Sequence, residues 1–545
     1  MASEAPSLEP SAARRVASAT GIMMAAILAS RLLGLIRDAV ISALFGQGYW
    51  SDIYYAAFLV PDLLFFLIAG GALSSAFIPV FTEKLTRGDT EGAWRLFSTI
   101  ASVMFVVVSA FVVAGEVFAV PLVALIAGGF DPSKAAATAE LTRIVLPAQI
   151  CFFLGGLMMG VQNAHGRFWV PALGPIVYNL GIIAGGVALA PWLGPAGLCW
   201  GALAGAVVGN FALQAWAVRR LGGRFRLRFD ARSPDAMRVW RLMLPVVLGL
   251  ALPQVSILIN RAFASALGDG PISAITRANM LMQVPLGVFA QALGVAILPT
   301  LSAQAAAGQI TQLRATAAAG VRTLLFLTIP ASALMVALAE PIVRMVLEQG
   351  LFGPQDTRMA ATALVYYSVG IFAWSAHAVL ARGFYAVQDT RTPVVIGTAV
   401  TLVFVPMNWL FMAPLGLGYR GLALATTIAA ILHMLVMQRV LSRRLGGFEE
   451  ARLVSSLART VPASALAAAA AWGARVAMER ALAGGAVSTL NMKLETLAVL
   501  AVASGAGVLV YAGTAALLRS EELRYVRSLL SRRRPGQTEP EHSAP

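Results

Sequence analysis

The sequence predicts an all-α polytopic membrane protein of about fourteen transmembrane helices, arranged as two six-helix lobes in parallel repeat plus two C-terminal helices. Three observations lead there. Apolar residues make up 58% of the 545 residues and charged ones only 12%, with a mean hydropathy of +0.77, outside the range of soluble domains. Runs of about twenty mostly apolar residues, enough to cross a ~30 Å hydrocarbon core as helices, recur from end to end. Short motifs from the first half return in the second at a nearly constant offset.

In chain order the spans fall at about 17–45, 52–80, 94–127, 138–163, 171–191, 196–218, 240–267, 273–303, 318–347, 358–386, 393–413, 420–441, 454–479 and 494–518. The tail 1–16 is polar and lacks the order of a cleavable signal, so the first helix is expected to stay. Residues 17–223 would form the N-lobe, 224–239 a basic loop, 240–447 the C-lobe, 454–518 the last two helices, and 519–545 a basic tail ending in the disorder-like "RRRPGQTEPEHSAP". Pro61, Pro79, Pro285 and Pro299 occupy corresponding places in the second and eighth spans, where kinks are expected. Cys151 and Cys199 both fall in apolar spans and read as small buried thiols.

The repeat rests on three matches in order. "SAL" at Ser42–Leu44 followed by Val60–Pro61 returns at Ser265–Leu267 and Val284–Pro285, an offset of 223 to 224. "GVQNAHGRFWVP" between Gly160 and Pro171 answers "GFYAVQDTRTP" between Gly383 and Pro393, and "RRLGG" ends both the sixth and the twelfth spans. Six is even, so both copies enter the membrane in the same orientation, a pairing that encloses a central cavity in transporters.

The net charge of +15 does not point to nucleic acid, because of where it sits. Residues 219–241 hold eight arginines, 439–459 five and 519–534 six, while 46–52, 191–197 and 266–273 hold no Lys or Arg. This positive-inside alternation places both termini and the basic loops in the cytoplasm and makes anionic membrane lipids the expected contacts.

Charges within spans need a reason, since an arginine or aspartate at the bilayer centre costs about 2.5–3.5 kcal/mol on insertion scales. Arg31, Arg37 and Asp38 lie in the first span and Asp52 and Asp62 in the second. Seven residues put Arg31 and Asp38 on one helix face, with Arg37 roughly 120° away. Structural ion pairs or snorkelling are one reading; the other is an anion-binding cavity wall, because a guanidinium fork matches phosphate oxygens. Glu116 and Glu340 are candidate cation or proton sites. His165, His377 and His433 read as isolated, and no HExxH, Walker loop or Gly-x-Ser-x-Gly elbow is present. No catalytic residue, metal site or cofactor is expected, and the drive would come from the membrane potential or a cation.

"ASRLLGLIRDAVISALFGQGYWSDIYYAAFLVPDLL", "NAHGRFWVPALGPIVYN" and "GFYAVQDTRTPV" resemble the MurJ (MviN) lipid II flippases of the multidrug/oligosaccharidyl-lipid/polysaccharide exporter superfamily, over residues 17–518. The resemblance implies export of the undecaprenyl-diphosphate-linked peptidoglycan precursor. It also implies diphosphate binding by Arg31 and Arg37, a functional role for Asp52, and a lipid-tail groove on the last two helices. Two places depart from the family pattern: Phe65, Phe66 and Gly70 stand where many relatives carry Arg and an acidic residue, and Asn279 and Met280 where they carry Asp-Arg. Arg277, within one turn, is the candidate replacement guanidinium; Asp38, Asp52 and Asn279 are assigned to the cavity or its gate. The alternatives are export of another polyprenyl-linked saccharide or of small cationic solutes, or a non-transporting scaffold for cell-wall synthesis enzymes.

Overall fold

The computed structural model describes residues 10–65, 72–482 and 489–523. The described residues are helical with no strand. The helices are α1 (Pro10–Phe45), α2 (Tyr49–Ala57), α3 (Leu59–Leu64), α4 (Ala72–Thr86), α5 (Thr90–Val117), α6 (Ala119–Ile126), α7 (Pro132–Val145), α8 (Ala148–Ala164), α9 (Trp169–Leu193) and α10 (Pro195–Gly205). A π-helical stretch (Ala206–Ala212) leads into α11 (Leu213–Arg220), then α12 (Pro234–Ser265), α13 (Pro271–Ala306), α14 (Ile310–Ala337), α15 (Ala339–Leu347) and α16 (Pro354–Ser368). The remaining helices are α17 (Ile371–Ala386), α18 (Arg391–Met412), α19 (Tyr419–Leu445), α20 (Glu450–Leu482) and α21 (Thr489–Leu517).

Among the described residues nine helices are long and apolar enough to cross a membrane, or ten if α16 and α17, bent by 43°, form one span. The other four expected spans coincide with α1, the α2–α4 run, α12 and α13. Several spans are broken, and the breaks share a cause. Phe58, Phe118 and Leu338 interrupt the helix three residues before Pro61, Pro121 and Pro341. Each proline lacks the N–H that would bond the carbonyl four residues back. At the first break that carbonyl, Ala57 O, is taken instead by Thr142 Oγ1 at 3.2 Å, the kind of substitution that lets a bilayer tolerate proline. By contrast α13 runs as one element through Pro285 and Pro299.

Helix starts follow local chemistry. Asp89 caps α5 by accepting from Gly92 N at 2.8 Å, and Asp131 caps α7 by accepting from Ser133 N and Lys134 N with Pro132 at the first helical position. α9 and α10 pack backbone to backbone: a Cβ on Gly181 would lie 2.6 Å from Gly201 O, and one on Gly185 2.4 Å from Gly197 O. This small-residue seam is the membrane way to gain dispersion without a hydrophobic drive.

The chain forms two compact units. One comprises residues 1–277, 346–357 and 408–422; the other comprises 278–345, 358–407 and 423–545. Within the first, Phe77, Phe81, Phe153 and Leu157 are fully buried between α4, α5 and α8. Within the second, α14, α20 and α21 meet around Leu338, Ala471 and Ala503. Both cysteines are free thiols, Cys199 buried and Cys151 half-buried. Residues 524–545 of the expected tail, together with Phe66 and Gly70, lie outside the described residues.

Candidate functional site

Two of the charges of the first span, Arg37 and Asp38, are held in one polar network. Arg37 donates from Nη2 to Asp38 Oδ2 at 2.9 Å and from Nη1 to Asn179 Oδ1 on α9 at 3.1 Å. Asp38, 2% exposed, accepts from the Tyr55 hydroxyl at 2.8 Å. Tyr54, Tyr55 and Phe58 pack edge-on nearby, and Tyr178 packs against Phe152. Arg261 Nη1 donates to Tyr55 O at 3.3 Å, and Asp62 lies within electrostatic reach of Arg261 and Arg37. Arg37 Nε is buried without a hydrogen-bond partner among the described residues. A guanidinium with two directions satisfied is held in place, and its unpartnered N–H keeps the capacity to donate to an acceptor that reaches it.

Arg31 is exposed and pairs with no described residue. Its shared face with Asp38 does not bring the two together: seven residues rise about 10.5 Å, beyond the reach of a direct pair. At Phe65 the ring meets that of Phe152 edge to face, centroids 5.4 Å apart. Asn279 is half-buried and accepts from Gln283 Nε2 at 2.7 Å.

Arg277 and Asp52 belong to a different arrangement. Arg277, 1% exposed, donates from Nη2 to Gly46 O at 2.8 Å and to Ser51 Oγ at 3.2 Å. Its guanidinium carbon lies 5.0 Å from the Phe352 ring centre and 5.6 Å from that of Tyr55. Asp52, fully buried, accepts from Gly270 N at 2.7 Å and Ser273 N at 2.8 Å, with Lys134 Nζ 3.7 Å away. The two ends are matched in sign: the negative C-terminal end of α1 receives a cation from α13, and the positive N-terminal end of α13 receives an anion from the first turn of α2. Residues 349–351 close over the same end of α1, with Leu351 N donating to Ala43 O at 2.9 Å and Gln349 Nε2 to Ala39 O at 3.0 Å. Gly350 sits at φ +58°, and a Cβ there would lie 2.3 Å from Ala43 O. We call this arrangement the seam. It lies at the ends of the spans whose loops lack Lys and Arg.

The two glutamates proposed for coupling are not equivalent. Glu340 ion-pairs with Arg475 at 2.6 Å and Arg344 at 3.0 Å. Glu116 is half-buried near the end of α5, where Arg143 Nε donates to its backbone carbonyl at 3.1 Å. The histidines are not all isolated: His377 and His433 stand with ring centroids 4.4 Å apart, joined by the packing of α17 and α19 across a sequence gap no local pattern bridges. Among the described residues no group of three or more His, Cys, Asp or Glu is placed to hold a metal ion. Sequence reasoning missed Tyr55, Arg261, Lys134 and Asn179. The last carried a signal, an amide alone in the apolar run "PIVYNLGII".

A family profile described as "Lipid II flippase MurJ" matches residues 41–493. A Rhizobium meliloti (strain 1021) protein named "Probable lipid II flippase MurJ" is 32% identical over 455 residues, 82% of this chain and 84% of its own. A Burkholderia cenocepacia protein named "Lipid II flippase MurJ" is 31% identical over 426 residues, 76% of this chain and 82% of its own. Among solved structures, one described as "Lipid II flippase MurJ, inward closed conformation" matches with a TM-score of 0.73 at 22% identity, covering 93% of this chain and 99% of that one. An inward-facing MATE family transporter of the MOP superfamily matches with a TM-score of 0.64 at 14% identity, covering 77% of this chain and 96% of that one. At these identities the two structures speak to the fold alone, and the profile and the sequence relatives carry the conclusion that this chain belongs to the lipid II flippase MurJ family.

Proposed function

We propose that this chain moves lipid II, the undecaprenyl-diphosphate-linked peptidoglycan precursor, from the inner to the outer leaflet of a bacterial plasma membrane by alternating access. The observation that carries the reading within this chain is Arg37, inside the first span and held by Asp38 and Asn179, with Nε free. Arg31, exposed on the same helix, makes two guanidiniums against one carboxylate, and this excess of positive charge suits a diphosphate.

The two six-helix lobes would rock about the bound headgroup while the polyprenyl tail stays in lipid, since each CH₂ moved into water costs about 0.8 kcal/mol. Helices α20 and α21, packed on α14, would carry the tail groove. An inside-negative potential favours outward movement of the anionic headgroup by about 2.3 kcal/mol per charge per 100 mV. Arg277 is read as part of the seam and not as a diphosphate ligand, because Gly46 O, Ser51 Oγ and two rings already surround it. The edge-to-face contact of Phe65 and Phe152 favours a second reading, another polyprenyl-diphosphate cargo of the same class, because it gives the second span aromatic surface there and no charge.

The test is lipid II export in cells depleted of their own flippase, comparing the parent with Arg31→Ala and Arg37→Ala, each checked for insertion and folding. Rescue by the parent with loss in both variants is expected. Full export by folded Arg37→Ala would overturn the assignment of the diphosphate site. Failure of a folded parent would redirect the cargo.

A further inference from the structure

Residues 223–229 read GRFRLRF, with arginines at 224, 226 and 228 and Phe225, Leu227 and Phe229 between them. A period of two in an extended segment places the arginines on one face and the apolar residues on the other. The positive-inside rule accounts for the arginines but not for three large apolar side chains between them.

The structure shows the segment extended and fastened along α5. Ser98 Oγ donates to Arg224 O at 3.3 Å and accepts from Arg226 N at 3.1 Å, and Ser102 Oγ accepts from Arg228 N at 3.1 Å. The match is geometric: four helical residues rise about 6 Å and two extended residues about 6.6 Å, so alternate backbone N–H groups meet hydroxyls one turn apart. Both serines are buried beneath the ribbon, while Phe225, Leu227 and Phe229 stay 57–68% exposed. Large apolar side chains alternating with arginines belong at a membrane interface, not in water. Behind the ribbon lies a pocket of about 540 Å³, walled by Phe97, Phe105, Met158, Phe211 and Leu227, with Arg219 also lining it. That volume is within the ~300–1,000 Å³ of small-molecule sites.

We propose that this pocket and ribbon form a binding site for one anionic glycerophospholipid of the leaflet that the basic loops face. An acyl chain fills the apolar pocket, the phosphate rests against Arg219, and the arginines of the ribbon supply the surrounding positive field. Charge complementarity selects this occupant: residues 219–229 contain five arginines and no Asp or Glu. A neutral lipid would leave the arginines unexplained. The site stands apart from the diphosphate site and does not depend on the cargo.

The test uses the full chain in phosphatidylcholine nanodiscs doped with a phosphatidylglycerol bearing a diazirine in its acyl chain, with the equivalent phosphatidylcholine probe for comparison. Photo-adducts are expected on peptides spanning 97–105 and 211–227, several-fold stronger with the anionic probe. Replacing Arg219, Arg224, Arg226 and Arg228 by Gln, all exposed positions, should lower anionic labelling at least fivefold, the scale of a single arginine near an anionic surface, to the level of the neutral probe. Ala101→Phe, which fills the pocket, should remove labelling by both probes; should it fail to fold, the surface variant decides alone. Equal labelling of the parent by the two probes, adducts confined to other peptides, or an arginine variant labelled like the parent would each overturn the proposal, and an unlabelled ribbon would assign it to a protein partner.

Discussion

Replacing Arg277 by alanine distinguishes a residue that holds the seam from one that holds substrate. The substitution removes donors to Gly46 O and Ser51 Oγ, 2.8 and 3.2 Å away, from a position that is 1% exposed. Gly46 O keeps a donor in Ser51 Oγ at 2.7 Å, so what is lost there is a hydrogen bond to a charged group, about 1.5–3 kcal/mol; losing a cation at a partly buried helix C-terminus costs up to ~2 kcal/mol, and losing desolvated ring contacts about 1–2 kcal/mol. Against this, Arg277 Nε and Nη1 have no hydrogen-bond partner, and removing them relieves about 1–3 kcal/mol of desolvation. The balance is about 2–3 kcal/mol against the closed seam, a roughly 30- to 150-fold shift in its opening equilibrium. The assay is maleimide labelling of Ile53→Cys, a 1% exposed position on α2, with Cys151 and Cys199 replaced by alanine. Labelling should accelerate by that factor in Arg277→Ala and by less in Arg277→Lys, which keeps the charge but not the fork. Parental labelling together with lost lipid II export would refute the reasoning and return Arg277 to the substrate site.

Gly350→Ala should open the seam too, because its φ of +58° and the 2.3 Å approach to Ala43 O leave no room for a Cβ; Gly353→Ala, with nothing within 4 Å, is the matched control, and equal labelling of the two would contradict the account. Glu340→Gln should lower the thermal midpoint slightly, about 1 kcal/mol for part-exposed pairs, and leave the pH and cation dependence of export unchanged; an altered dependence would make Glu340 a coupling site. Asp89, at the exposed cap of α5, has its pKa lowered by the hydrogen bond from Gly92 N and then by Lys84. Its contribution is therefore present above the ordinary carboxylate range and lost as pH falls through the lowered value. Amide exchange at Gly92 should accelerate over that acid range in the parent and not in Asp89→Asn.

The apolar spans were legible because hydropathy acts locally. Their breaks were less so: a kink was expected at Pro61, where the helix does break at Phe58, but also at Pro285 and Pro299, through which α13 runs as one element, while the breaks before Pro121 and Pro341 fall inside spans read as continuous. Arg37 stood out in the sequence because an arginine within an apolar span demands a reason. What held it was not, since Asn179 lies 142 residues away. Arg277 shows the limit most clearly. Within one turn of a missing family arginine it reads as a replacement, yet its acceptor, Gly46 O, is 231 residues distant.

The sequence by itself determined the all-helical membrane class and the presence of charge within the first helix, since hydropathy and charge act residue by residue along the chain. Only the tertiary structure decided which of those charges is free. Arg31 stayed exposed, Arg37 kept one buried N–H without a partner, Arg277 met the end of α1 while Asp52 met the start of α13, and Glu340 was taken up by Arg475. The physical reason is that a buried charge is defined by its partners, and those partners are gathered by packing across hundreds of residues of chain.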